Sequence, residues 1–348
     1  MERLLTCAEA IREATEQEME RDPSVLVLGQ GVDDFRGIYG TTKGLAQKFG
    51  ADRVFDTPLA EDGMTGVAIG AALAGMRPIH VHIRMDFLLL CMNQLINIAA
   101  KTSYMFGGSL HVPLVVRSVI GRSWGQGAQH SQGLHALFMH IPGLKVVAPS
   151  TPYDAKGLLI EAIRDDNPVI FVEHRMVHAL KGHVPEESYT VPFGRARILE
   201  EGEDITLIGI SHMVVECLRA AQCLTQIGIR AEVIDPVSLS PLDAETIVKS
   251  VRKTGKLLVV DTGWTPCGAS AEIVTQVAER LQGEQTLRFA RMGYQPVPCP
   301  TTPILEELFY PNPQTIAAMA ARLVRGEAYD WMPDKIEAPE LLQFKGPF

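Results

Sequence analysis

The chain has six cysteines, Cys7, Cys91, Cys217, Cys223, Cys267 and Cys299, and no two stand in C-x-x-C spacing. That arrangement signals neither a zinc knuckle nor a thioredoxin-type redox site. Most of them sit beside apolar residues, where a free thiol acts as a small hydrophobe, so a reduced, cytoplasmic setting is expected. No run of about 18 apolar residues occurs, so no segment is expected to span a membrane. The first 22 residues are charged throughout and lack an apolar signal core; they read as an amphipathic helix rather than a signal peptide. Basic residues are neither abundant nor clustered, and the net charge is −9. A nucleic-acid partner is excluded on that ground, since phosphate contacts need concentrated Lys and Arg. Internal repeats and low-complexity tracts are also absent.

What is present is ordinary globular material. Hydrophobic residues make up 46% and charged residues 21% of 348 positions, enough for two domains at roughly 150 residues each. Short β-branched runs, VLVL (25–28), IHVHI (79–83), PLVVR (113–117), KVVA (145–148) and PVIFVE (168–173), alternate with helical spacing such as Leu88–Lys101 and Tyr153–Arg164. This alternation predicts an α/β fold with a largely parallel sheet. The pattern breaks over 175–203, which carries Pro and Gly without a sustained period and reads as a connector. A second set follows in ITLIGI (205–210), AEVI (231–234), KLLVV (256–260) and LRFARM (287–292). The expected domains are therefore 1–190 and 195–328, with 329–348 as an extended, proline-bearing tail.

Several local patterns suggest chemistry. LVLGQGVDDFRGIYG (26–40) runs a strand into Gly29 and Gly31, but Asp33 and Asp34 stand where a dinucleotide fingerprint needs glycine and a phosphate cradle. The Rossmann reading is rejected. His80 and His82 alternate on one strand face without a nearby third ligand; they are read as lining a pocket at the strand end rather than binding metal.

RVFDTPLAEDGMTGVAIGAALAGMRP (53–78) carries more. After a strand and a Pro-containing turn, a helix of mostly small residues opens at Glu61. Its glycines each cost up to about 1 kcal/mol relative to Ala, which close approach by another element would offset. Taken alone, Glu61 is a first-turn acid meeting the helix dipole. Phe87, after the next strand, and His130, in the Gly-rich loop 121–140, come to the same C-terminal strand ends, where α/β proteins bind ligands.

Blocks from about residue 3 to 325 resemble the β subunit of the thiamin-diphosphate-dependent E1 component of 2-oxoacid dehydrogenases, of the pyruvate and acetoin type. The resemblance is carried by RVFDTPLAEDGMTG, AALAGMRP, NQLINIAAKTSYMFGG, GAQHSQ, HIPGLKVVAPSTPYDAKGLL, AIRDDNPVIFVEH and VIDPVSLSPLD. It implies two transketolase-like domains, a parallel-sheet pyrimidine-binding domain and a C-terminal α/β domain.

The resemblance further implies that Glu61 hydrogen-bonds N1′ of the cofactor's aminopyrimidine. Sharing a proton there favours the tautomer whose 4′ nitrogen deprotonates thiazolium C2, and a carboxylate in an apolar setting suits the task. Phe87 matches the residue packing on that ring, Leu59 the pocket wall, and His130 the histidine facing the substrate carbonyl. A potassium site is implied at Leu114, Ala162, Ile163, Asp165 and Asn167, mainly through backbone carbonyls.

The family's G-D-G motif for Mg²⁺ and diphosphate does not occur here. That implies a separate α subunit, a cofactor shared across the interface, an α₂β₂ heterotetramer with a second β subunit, and possibly a lipoyl E2 partner. Four positions depart from the family pattern: Arg84, Val81, Trp124 and Gln126. Arg84 could clamp a substrate carboxylate or phosphate, or be an ordinary surface arginine. Two rivals stay open: half of a split transketolase or carboligase acting without lipoamide, and a noncatalytic assembly subunit.

Overall fold

Short aliphatic runs become strands of a parallel sheet here because helices cover both sheet faces, leaving no need for polar alternation. The computed structural model describes residues 3–122 and 125–336. These form two compact units, one comprising 3–122 and 129–193, the other 125–128 and 194–336.

In the first unit, β1 (Leu4–Thr6) leads into α1 (Cys7–Arg21), followed by β2 (Val25–Gly29), α2 (Leu45–Phe49), β3 (Val54–Asp56), α3 (Glu61–Leu73) and β4 (Arg77–His82). After a 3-10 stretch (Met85–Cys91) and a π-helical one (Asn93–Ala99) come α4 (Ala100–Met105), β5 (Val115–Ile120), α5 (His135–Met139) and β6 (Lys145–Val147). The unit ends with α6 (Pro152–Arg164), β7 (Val169–His174) and β8 (Lys181–His183). Its strands lie in the order β6-β7-β5-β4-β2-β3, all parallel. Every residue of β2, β5 and β7 is buried. Helix starts follow local chemistry: Thr6 and Glu9 form a reciprocal capping box on α1, and Thr151 caps α6 ahead of Pro152.

One glycine in this unit is fixed by backbone approach. A Cβ on Gly29, whose φ is +147°, would lie 2.2 Å from the Val81 carbonyl oxygen. Gly29 thus ends β2 tightly against β4, without any phosphate-binding role.

The second unit contains β9 (Arg197–Glu200), β10 (Ile205–Gly209), α7 (His212–Thr225), β11 (Ala231–Asp235), β12 (Ser238–Ser240), α8 (Ala244–Thr254), β13 (Lys256–Trp264), α9 (Ala269–Leu281), β14 (Arg288–Tyr294), α10 (Pro303–Phe309) and α11 (Pro313–Arg325). Its sheet runs β14-β13-β10-β11-β9, parallel except for antiparallel β9. Leu207, Val233 and Leu258 pack with Cys217 and Leu224 of α7 and Ile316 and Ala320 of α11.

Three expectations change. Leu88–Lys101 keeps its helical burial face at Leu88, Cys91, Leu95 and Ala99, yet its hydrogen bonding shifts from 3-10 to π to α geometry. The supposed connector 175–203 contains β8 and β9. The structure brings no neighbour to the glycine face of α3: positions Gly63, Gly66 and Gly70 have nothing within 4 Å of an added Cβ. Residues 329–336 carry neither helix nor strand, and the tail beyond them lies outside the described residues.

Candidate functional site

The parallel sheet of the first unit delivers one polar or aromatic group from each successive strand end. Gln30 follows β2, Glu61 follows β3, Phe87 follows β4, His130 comes after β5, and Arg175 follows β7.

Glu61 opens α3, where Ala60 provides no side-chain cap and Glu61 and Asp62 fill the first turn. Its carboxylate is half-buried. Gln30 Nε2 donates to Glu61 Oε1 at 2.9 Å, so one carboxylate oxygen is held and Oε2 keeps its lone pairs for another donor. Gln30 was missed from sequence because its stretch was weighed only as a dinucleotide fingerprint. Its place directly after a buried strand was the available signal.

Phe87 and His130 are brought together: their rings meet edge to face with centroids 5.4 Å apart. Both are half-buried. Asp86, beside Phe87, accepts from Gln132 Nε2 at 2.8 Å and from Gln132 N at 3.2 Å. This ties the His130 loop to the β4 end. Burial pushes the Asp86 carboxyl up, against the opposing pull of those Gln132 hydrogen bonds. From the other side, Arg175 Nη2 donates to the His130 carbonyl at 3.2 Å. No hydrogen bond or ring contact joins Glu61 to either ring. Leu59 is 81% exposed in the turn before α3, open to solvent or to another chain.

His80 and His82 both turn toward α3, with rings 4.2 Å apart and His80 Nδ1 3.4 Å from Thr65 Oγ1. Burial holds both below the ordinary imidazole range, His82 at about 4. Among the described residues no group of three or more His, Cys, Asp or Glu is placed to hold a metal ion.

At the five residues matched to a cation site, several oxygens already have partners. The Leu114 carbonyl accepts from Val169 N at 2.9 Å. The Ile163 and Asp165 carbonyls each accept from Arg77 Nη1 at 3.0 Å. The Asp165 carboxylate pairs with Lys145 and takes the Asn167 N–H at 2.8 Å. Ala162 is buried beside them on α6. A carbonyl has two lone pairs, so each of these can accept again.

Arg84 is not a surface residue. It is 6% exposed, donates from Nη1 to Tyr39 Oη at 2.6 Å and to the Ile83 carbonyl at 2.9 Å, and leaves Nε buried without a partner. Val81 is buried in β4. Gln126 is half-buried in the second unit, and Trp124 lies outside the described residues.

Comparison with known proteins agrees with this geometry. Residues 4–179 match the transketolase pyrimidine-binding domain and residues 194–316 the transketolase C-terminal domain. The chain is 46% identical over 336 residues to the β subunit of acetoin:2,6-dichlorophenolindophenol oxidoreductase of Cupriavidus necator, covering 94% of this chain and 99% of that one. It is 42% identical over 316 residues to the pyruvate dehydrogenase E1 component β subunit of Porphyra purpurea, covering 91% and 96%. A solved split-gene transketolase, an inactive β4 tetramer, superposes with a TM-score of 0.76 at 23% identity over 92% of this chain and 99% of that one. That last likeness speaks for the fold alone. With Glu61, Phe87 and His130 set at the strand ends of a pyrimidine-binding domain, the chain belongs to the transketolase-like β subunits of the E1 component of 2-oxoacid dehydrogenases.

Proposed function

We propose that this chain forms the aminopyrimidine-binding half of a thiamin-diphosphate enzyme. The enzyme decarboxylates or cleaves a 2-oxo substrate of the pyruvate or acetoin type and passes the acyl unit to lipoamide. The observation that carries this is the Glu61 carboxylate, fixed at one oxygen by Gln30 and open at the other, at strand ends that also present the Phe87–His130 pair. These groups suit an aminopyrimidine: a carboxylate for a ring nitrogen and an aromatic side chain for the ring. When bound, thiamin diphosphate supplies a nucleophilic carbon for attack on a 2-oxo carbonyl. Glu61 would hold and exchange a proton at Oε2, with Gln30 fixing the carboxylate's orientation. Phe87 would flank the ring, and Leu59 would close the wall once another chain covers it. His130, steadied by Arg175 and by the Gln132–Asp86 link, would hydrogen-bond the substrate's carbonyl oxygen or position the acyl acceptor.

Mg²⁺ and the diphosphate are assigned to an α subunit, because the chain has no G-D-G motif. The outer face of α3 supports an assembled state. Gly63, Gly66 and Gly70 are bare, Val67 and Leu73 are exposed beside them, and Leu90, Tyr104, Met105 and Phe106 are exposed on the segments that follow β4. Three bare helical glycines forfeit roughly 2–3 kcal/mol relative to Ala, which close packing by another chain would return. An α₂β₂ heterotetramer with a lipoyl E2 partner is the reading adopted.

The test is calorimetric titration of thiamin diphosphate with Mg²⁺. The isolated chain is expected to bind it no better than about millimolar, and the chain mixed with its α subunit at least about a hundredfold more tightly. Tight binding by the isolated chain would overturn the shared-cofactor reading.

A potassium ion at the Leu114, Ala162, Ile163, Asp165 and Asn167 site remains part of the proposal, held by second lone pairs beside Arg77. Thermal melts in KCl are then expected to exceed those in choline chloride at equal ionic strength by a few degrees, the shift that roughly 1 kcal/mol gives a unit of this size. Equal melting temperatures would remove the ion from the account.

A further inference from the structure

A cavity of about 630 Å³ opens within the first unit, with Gly31, Ile38, Tyr39, Ile83, Arg175 and His178 in its lining. Two of these residues join it to the candidate site. Gly31 directly follows Gln30, the residue bound to Glu61, and Arg175 holds the His130 carbonyl. The volume falls in the range of small-molecule pockets and exceeds what an acetyl-sized group would fill.

The walls are largely apolar, but the charge buried around them is one-sided. Glu173 is already committed to Arg117 through two hydrogen bonds of 2.6 and 3.0 Å. It also meets His178 Nε2 at 3.0 Å, while His178 Nδ1 is buried without a partner. Arg84, against Tyr39 in the wall, is 6% exposed, and no carboxylate lies within ion-pair reach of it among the described residues. Arg175 is fully buried. The exposed lining residues Asp34 and Arg36 cancel each other in charge. A buried guanidinium without a counter-charge is costly, and a ligand anion would offset that cost through charge-assisted hydrogen bonds.

We propose that this cavity is the distal substrate subsite, and that the preferred 2-oxo substrate carries a second anionic group, carboxylate or phosphate, at the end remote from its reacting carbonyl. Arg84 and His178 recognise that group. This deepens the thiamin-diphosphate reading and rests on it for the position of the reacting carbonyl.

The test uses the enzyme assembled with its α subunit and an artificial electron acceptor. Compared substrates are 2-oxopentanoate, 2-oxoglutarate and 4-phosphono-2-oxobutanoate, which separate a neutral tail from a carboxylate and from a phosphonate standing in for phosphate. The kcat/KM of at least one anionic substrate is expected to exceed that of 2-oxopentanoate by about thirtyfold or more. Arg84→Met should bring the ratio near one, and Arg84→Lys should keep part of it. Equal or better turnover of 2-oxopentanoate would overturn the proposal.

Binding of glutarate, methylphosphonate and pentanoate by calorimetry gives a readout independent of turnover. Glutarate or methylphosphonate should bind, pentanoate should not, and Arg84→Met should weaken the anion by about tenfold or more. If no 2-oxo acid reacts but an anion binds with that Arg84 dependence, the assigned activity fails and the anion site stands. If neither anion binds, the subsite proposal falls.

Discussion

Glu61→Gln in the assembled enzyme is expected to lower kcat by about 10²–10⁴-fold, the range that a positioned proton-transfer group supplies, or roughly 3–5 kcal/mol of barrier. The substitution is nearly isosteric. Its amide oxygen can still accept from Gln30, which donates to Oε1 at 2.9 Å in the native chain, so orientation at that end survives. The ability to release and recover a proton at the outer position does not. KM should move far less than kcat, because the loss falls on the transition state rather than on binding. Sedimentation of the variant with its α subunit should match wild type, since Glu61 makes no other hydrogen bond within the chain. Near-normal turnover with normal assembly would mean that this chain only organises the complex. A collapse of both assembly and turnover would mean that Glu61 is structural.

How much of this was legible in the sequence depended on the range of the forces involved. The buried strands around 25–29, 115–120 and 169–174 announced themselves because a parallel strand covered on both faces must be aliphatic throughout. Glu61, Phe87 and His130 were also readable, as each lies just after such a strand in a recognisable block. Strand β8 was not, because it is held by pairing with β1, Leu4 opposite His183, and no local periodicity reports a partner that far along the chain. The same holds for Gln30, whose meaning comes only from the approach of Glu61. Arg84 shows the limit most clearly. Its sequence neighbours leave open a surface position or a buried one, and only the packing of Tyr39 and Ile83 around it decides for burial. The glycine face of α3 was read correctly as needing a close neighbour, yet within this chain none arrives.

The first unit should be acid-labile through Glu173, and Glu173→Gln should cost about 3–5 kcal/mol at neutral pH, as breaking a buried ion pair does. Arg117 on β5 and Glu173 on β7 are both almost wholly buried, and His178 adds a third member to the cluster. Although burial works against it, the charge and hydrogen bonds of Arg117 and His178 hold the Glu173 carboxyl down at about 2. In the unfolded chain the same group takes up its proton near the ordinary value of roughly 4.3. Its stabilisation is therefore complete above that value and is lost as pH falls toward 2. His82 contributes a separate loss at higher pH. Its folded value is about 4 against roughly 6.5 when exposed, so the unfolded state gains protons first as pH drops through that window. Denaturant midpoints by circular dichroism at pH 7, 5, 4 and 3 should show both declines in wild type. Glu173→Gln should start lower, keep the His82 decline and flatten below about pH 4.5. Arg117→Met should be similarly destabilising at pH 7, and the double variant should cost less than the sum of the two, because the second change removes a charge the first left unpaired. A Glu173→Gln curve parallel to wild type from pH 5 to 3 would show that this carboxylate is not what ties the first unit's stability to acid.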